Sequence, residues 1–413
     1  MMPTKKELFG FSLFDFANSA YTTVIITAVY SVYFVKSIGS PLSWSITLCI
    51  SYALTLLLAP VAGAVADYTA NRKKFLFFSY ILCVIATAGL YFSVPELRYL
   101  AMFLIILSNV GFSLSEAFVS SFLPALSTPK TIGRVSGYAW SFGYVGGVLS
   151  LFLALNYLKI TGFTDAAVRE IAPLTALFFA IAAAPVFKLL KDRTVAQVKP
   201  AGISYVSIGF GRLKETFRDI RKYSELFKFL IAFFVYSCGI ATVISFAAIF
   251  AENALDFKMG ETIMMLFIAN ITAAVGAFFF GFIQDDLGAR KTLFITLVMW
   301  ILAVLLAYVT HSKAVFWLVA NIVGFAMGAS QSASRSFVGL LAPEEKSAEF
   351  FGFWGVASKA AAMVGLFSFG LMWKLSGSMR VAILLTLVFF IAGFVLLLFV
   401  KDDRPKKKWD EDL

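Results

Sequence analysis

Four charged residues stand inside long apolar runs: Asp15, Glu116, Arg335 and Lys359. A charge in hydrocarbon is costly, so each is expected to face an interior or a wet cavity and to pair with something. Both acids fall in the first half of the chain and both bases in the second. That division suits a zwitterion, whose amine would meet the acids and whose carboxylate would meet the bases. It suits two other roles as well: salt bridges that only hold the halves together, and a gate whose bridges break in each cycle. Asp15 lies about nine residues into its run, roughly 13 Å deep. It could carry a proton, since burial opposes ionisation of a carboxyl and a nearby base favours it. H+ is therefore the candidate coupling ion.

Other polar groups accompany these charges. Asn18, Ser19 and Thr22 follow Asp15 at positions that share its face of an α-helix. Trp140 and Tyr144 lie one turn apart on another span, and Asn270 and Gln331 add uncharged groups on two more. Each could line a solute path, and each alone serves equally as interhelical glue or core. No Gly-x-Ser-x-Gly, His-Glu-x-x-His or Walker-type phosphate loop occurs, so neither catalysis nor ATP hydrolysis is expected. Cys49, Cys83 and Cys238 fall within apolar runs without metal-ligand spacing, and the single histidine, His311, is in a loop. No metal and no bound cofactor is expected.

Such groups need a membrane-spanning frame. The 413 residues are 60% hydrophobic and 14% charged, against about a quarter charged in soluble domains. Apolar runs of about 20 residues recur, long enough to cross the hydrocarbon as helices. Twelve are expected, at about 8–35, 42–66, 75–94, 97–123, 135–157, 171–190, 226–250, 260–284, 292–310, 314–340, 351–374 and 380–400. The first is too long and too polar inside for a signal peptide. The fold class is an all-α integral membrane protein with two six-helix bundles, at 1–190 and 225–400. A linker at 191–224 joins them, and a basic tail occupies 401–413. Most of the 35 Lys and Arg residues collect in alternate loops and the tail. By the positive-inside rule both termini are cytoplasmic. The net charge of +11 is spread over short loops without interleaved aromatics, so nucleic acid is not an expected partner. A small solute and the bilayer are, and the protein is expected to be a monomer.

The linker contains "YVSIGFGRLKETFRDIRKYSELF". Val206, Phe210, Leu213, Phe217 and Ile220 recur at helical spacing, with Arg212, Lys214, Arg218, Arg221 and Lys222 among them. This predicts an amphipathic helix on the inner leaflet, either a plain linker or a surface for a partner. On either side of it a repeat appears. "GAVADYTANRKK" follows the second span and "GFIQDDLGARKT" the eighth, so Gly63 and Asp67 match Gly281 and Asp285 at an offset of 218. A second offset, 215, pairs Glu116 with Gln331 and Tyr144 with Lys359. The glycine lets a neighbouring helix approach, the Asp offers an acceptor, and the bases suit lipid phosphates or helix C-termini. A unit of six helices used twice is expected to place a solute path between its copies, near mid-membrane.

Two sets of six helices with this loop duplicated resemble the major facilitator superfamily. Four segments, "DFANSAY" at 15–21, "GRVSGYAWSFGYVGG" at 133–147, "SQSASRS" at 330–336 and "SAEFFGF" at 347–353, resemble its vacuolar-effluxer-like branch. That branch comprises the fungal autophagy-related amino-acid exporters and their bacterial relatives. The resemblance implies secondary transport by alternating access in a bacterial inner or an organellar membrane. It implies an amino acid or similar small solute, with the duplicated loops (Asp67, Arg72, Asp285, Arg290 and Lys291) helping to lock the cytoplasmic side. The first loop departs from the superfamily in lacking a glycine before its bases. The Gly-Pro antiporter signature is absent from span five, so no motif supports proton antiport. A non-transporting sensor or scaffold and a lipid flippase are the rival readings.

Overall fold

Thr4 sets where the first helix begins. Its hydroxyl accepts from the Glu7 amide at 3.3 Å, and the Glu7 carboxylate accepts from the Thr4 amide at 2.9 Å. This reciprocal cap satisfies two donors that a helix start leaves orphaned. In the computed structural model, which describes residues 3–197 and 202–402 apart from the side chain of Met259, helix α1 then runs Lys5–Ala20. The span does not continue as a regular α-helix. Tyr21–Ala28 and Phe34–Ile38 are π-helical, with α-helical Tyr30–Tyr33 between them. The Val29 amide donates to the Val24 carbonyl at 3.0 Å, and the Thr27 hydroxyl reaches the Thr22 carbonyl at 2.9 Å. Both are reaches of five residues, the mark of a widened turn.

The remaining elements follow the expected order. Ser40 and Pro41 open α2, Pro41–Thr69, a hydroxyl cap followed by a pre-set φ. Next come α3 (Arg72–Gly89), α4 (Arg98–Ser120), α5 (Ile132–Thr161) and α6 (Asp165–Ala183). The linker helix is α7, Tyr205–Arg218. The second half supplies α8 (Ser224–Leu255), α9 (Met259–Leu287), α10 (Ala289–Val309), α11 (Lys313–Leu341), α12 (Ser347–Ser376) and α13 (Met379–Leu398). Among the described residues, twelve helical stretches are long and apolar enough to cross a membrane. The basic tail lies, beyond Asp402, outside the described residues.

The chain forms two compact units, and neither is continuous in sequence. The first comprises residues up to Leu126, Phe142–Glu215 and Pro343–Val356. The second comprises Ser127–Ser141, Thr216–Ala342 and the residues from Ala357 on. Helix α5 thus begins in the second unit and ends in the first, and α12 begins in the first and ends in the second. In the first unit α5 packs tightly on α1. A Cβ on Gly146 would lie 2.0 Å from the Phe16 carbonyl oxygen, so only glycine allows the backbones to meet there.

Candidate functional site

Asp67 sits in the last turn of α2, the negative end of the helix dipole, where an acid is poorly placed unless donors surround it. They do. Its carboxylate accepts from Arg72 Nε at 2.6 Å, from the Ala348 amide at 3.1 Å and from the Glu349 amide at 2.9 Å. The two amides belong to the first turn of α12, whose N–H groups have no partner within their own helix. The Asp67 and Arg72 side chains are 0% and 1% exposed. Arg72 also donates to the carbonyls of Glu344 and Ser121, and the Ser347 hydroxyl donates to Ser121 at 2.9 Å. One turn before Asp67, a Cβ on Gly63 would stand 2.3 Å from the Ala348 carbonyl oxygen. The glycine is what lets α12 come down onto α2.

The second unit repeats this with different charges. Asp285, near the end of α9, accepts from the amides of Gly133 and Arg134 at 2.7 and 3.2 Å and from Arg134 Nε at 2.6 Å. Gly133 and Arg134 lie in the first turn of α5. The offset of 215 pairs them with Ala348 and Glu349, so each Asp caps the equivalent helix start. Position 134 is basic and 349 is acidic, and that single inversion reorders the surroundings. Arg134 neutralises Asp285 directly. Glu349 cannot neutralise Asp67, so Arg72 does. Glu349, itself 0% exposed, is met by Arg212 of the linker helix at 3.8 Å. Arg212 also donates to the Glu345 carbonyl at 3.3 Å and lies over the Tyr68 ring. Arg290, the counterpart of Arg72, is left to donate to the Leu398 carbonyl at 2.7 Å and to cover Phe294. Lys291 is exposed.

The start of the linker closes over the Asp67 site. Arg193 donates to both Glu7 carboxylate oxygens, at 2.8 and 3.0 Å, and the Gln197 amide donates to the Tyr68 carbonyl at 2.9 Å. A cavity of about 170 Å³ remains, lined by Asp67, Arg193, Thr194, Val195, Gln197, Glu344 and Glu345. Solute pockets usually run to about 300–1,000 Å³, so this space is too small for one.

The solute candidates divide between the units. Asp15, Asn18, Thr22, Glu116 and Tyr144 belong to the first, and Trp140, Asn270, Gln331, Arg335 and Lys359 to the second. Asp15 and Asn18 are buried on α1, beside α5 at Gly143. Thr22 falls beyond Ala20, in the π-helical turn, so the α-helical spacing that puts it on the face of Asp15 no longer holds. Its hydroxyl donates to the Ser19 carbonyl at 3.1 Å. Glu116 and Tyr144 are half-buried. In the second unit Arg335 and Trp140 come together, with the guanidinium 5.2 Å from the ring centroid. Arg335 also donates to the Ser136 hydroxyl at 3.1 Å and carbonyl at 3.0 Å. Asn270 turns back to the Leu266 carbonyl of its own helix at 2.8 Å. Gln331 and Lys359 are half-buried.

Arg134, Ser136, Arg212 and Glu349 were not among the expected site residues. Three of them lie in the segments "GRVSGYAWSFGYVGG" and "SAEFFGF", whose first turns supply the amides that the two Asp residues bind. The offset of 215 carries the start of the first segment onto the second. A residue whose contribution is a backbone N–H leaves little trace in side-chain chemistry.

Residues 43–410 match the family described as vacuole effluxer Atg22 like. A Bacillus subtilis protein described as an uncharacterized MFS-type transporter, YxiO, is 28% identical over 97% of this chain and 96% of its own length. Autophagy-related protein 22 of Yarrowia lipolytica is 23% identical over 88% of this chain and 76% of its own. The crystal structure of the human organic anion transporter MFSD10 superposes with a TM-score of 0.77 at 15% identity, over 96% of this chain and 100% of that one. A bacterial homologue of the iron transporter ferroportin, in an outward-facing state, gives 0.74 at 14% identity, over 95% and 98%. These two likenesses show the fold alone: the all-α major facilitator fold, with twelve transmembrane helices in two pseudo-symmetric halves. The family match runs over most of the chain. The protein therefore belongs to the vacuole effluxer Atg22-like family of the major facilitator transporters.

Proposed function

We propose that this transporter moves a small polar organic solute, an amino acid or similar zwitterion, by alternating access. The observation that carries the reading is the duplicated capping of a helix start by Asp67 and by Asp285. A contact made of a carboxylate and two backbone amides forms and breaks as a unit, which suits a lock that opens once per cycle. On this reading Asp67, Arg72, Arg134 and Asp285 hold one side closed and do not touch solute. The division of Asp15 and Glu116 from Arg335 and Lys359 supports a solute bearing both charges, with Asn18 and Tyr144 as neighbours. The basic loops support a cytoplasmic placement of both termini in a bacterial inner or an organellar membrane. Asp15 is the candidate carrier of a coupled proton. The protein works as a monomer.

A thermal-shift screen of purified protein against amino acids, peptides, sugars and metals would find the solute class, because a ligand of the folded state raises apparent stability. Uptake of the radiolabelled hit into proteoliposomes, with and without a pH gradient, then tests the reading. A zwitterion that stabilises the protein and accumulates supports it. Stabilisation without movement across the membrane would favour a sensor, and movement of lipid alone a flippase.

A further inference from the structure

Helix α7 has three faces, and one of them rests on α2. Gly209, Arg212 and Thr216 are buried, with Gly209 seated against Val61 and Val65 of α2. The apolar stripe of the sequence lies on a different face. Val206 is 61% exposed and Phe210 60%, while Phe217, at the end of the stripe, meets the Phe227 ring of α8. Next to that stripe, going round the helix, stand Lys214 and Arg218, and the turn that follows adds Arg221 and Lys222, all exposed.

What covers the stripe follows from where the helix is tethered. α7 ends at Arg218 and the next transmembrane helix begins at Ser224. Five residues lie between them, and those six steps of chain reach about 20 Å at most, so α7 is held close to the start of α8. Its seat on α2 adjoins Leu54, Leu57 and Leu58, which are exposed on a helix that lies in lipid. The stripe on α7 therefore continues a lipid-facing surface to its edge. Apolar side chains that end in a row of bases match a bilayer surface bearing negative headgroups.

We propose that α7 is a docking surface for anionic lipid that steadies the Asp67 lock. Val206 and Phe210 enter the bilayer surface, and Lys214, Arg221 and Lys222 take headgroup phosphates. On the buried face Arg212 holds Glu349 and the Glu345 carbonyl, so a docked helix holds the start of α12 against Asp67. This rests on reading the Asp67 contacts as a lock, and the two halves of the test separate the claims.

The full-length protein with Cys49→Ser, leaving only the buried Cys83 and Cys238, is reconstituted in vesicles of phosphatidylcholine alone or with about 30% phosphatidylglycerol. An environment-sensitive label at Phe210→Cys is exposed to a bilayer-borne quencher and to aqueous iodide. Quenching from the bilayer should at least double with the anionic lipid. The Lys214→Glu/Arg221→Glu/Lys222→Glu variant should lose that increase. Separately, Ser347→Cys, buried in the lock, is treated with a membrane-impermeant thiol reagent. Its reaction should slow at least about threefold with the anionic lipid. Arg212→Gln should abolish this slowing while leaving the Phe210 quenching intact. Quenching of position 210 by iodide alone, or disulfide pairing of two copies through it, would overturn the docking. Docking without any change at Ser347→Cys would overturn the link to the lock.

Discussion

Replacing Asp67 by Asn should destabilise the protein far more than replacing Asp285 by Asn, although the two sites are equivalent in the repeat. Both substitutions cost a similar backbone term. Each carboxylate oxygen accepts from a different amide, and an Asn side chain can serve only one of the two. The charge term differs. Arg72 is 1% exposed, and without Asp67 it would be a buried, uncompensated cation, a loss of about 3–5 kcal/mol. The Arg134 side chain is 40% exposed and can turn to water, so its term is about 0–1 kcal/mol. The backbone terms cancel in the comparison, leaving a gap of about 2–5 kcal/mol. Unfolding of the detergent-solubilised protein, followed by heat or denaturant, reads it. A second variant tests the cause: Asp67→Asn/Arg72→Gln removes both charges and should recover most of the loss. Equal destabilisation at the two sites, or no recovery in the double variant, would refute the argument from burial.

Three further outcomes are expected. Asp15→Asn should leave a folded protein whose transport falls at least about tenfold, some 1.4 kcal/mol in barrier height; wild-type rates and an unchanged pH profile would remove Asp15 from the mechanism. Ala70 ends α2 at φ 52°, where a side chain costs about 1–2 kcal/mol. Ala70→Gly should therefore stabilise the protein by about 0.5–1 kcal/mol after the added freedom of the unfolded glycine is deducted, which thermal unfolding would register. Gly63→Ala puts a methyl against the Ala348 carbonyl. It should cost about 1–3 kcal/mol and speed labelling of Ser347→Cys, the signature of a lock forced apart.

The spans were legible in the sequence because hydrocarbon imposes a length and an apolar composition, and the repeat was legible because Asp67 and Asp285 keep type and spacing. Three features were hidden, each for a physical reason. The π-helical turns at Tyr21–Ala28 depend on where an extra residue is accommodated, which the even run of apolar and hydroxyl residues there does not mark. The base that meets Asp285 is not in its own loop, where Arg290 stands: it is Arg134, which shares the helix start whose amides Asp285 caps. Arg212 looked like one base among several on an amphipathic helix. Its burial depends on Glu349, which is more than 130 residues away in sequence.

The way each unit borrows a helix start has a consequence for biosynthesis. The amide that Ala348 offers to Asp67 lies 281 residues later in the chain. At about 5–20 residues per second, Asp67 and Arg72 have each other but wait roughly 15–60 s in the membrane before their partners at 344–349 are made. Asp285 waits for nothing, since Gly133 precedes it by 152 residues. The second site can therefore close as soon as its Asp leaves the ribosome, while the first stays open until α12 has been threaded. A chain cut short before Pro343 would hold a finished Asp285 site and an unfinished Asp67 site, with Gly63 and its neighbours bare. That surface would distinguish incomplete chains from complete ones for any membrane quality-control protease.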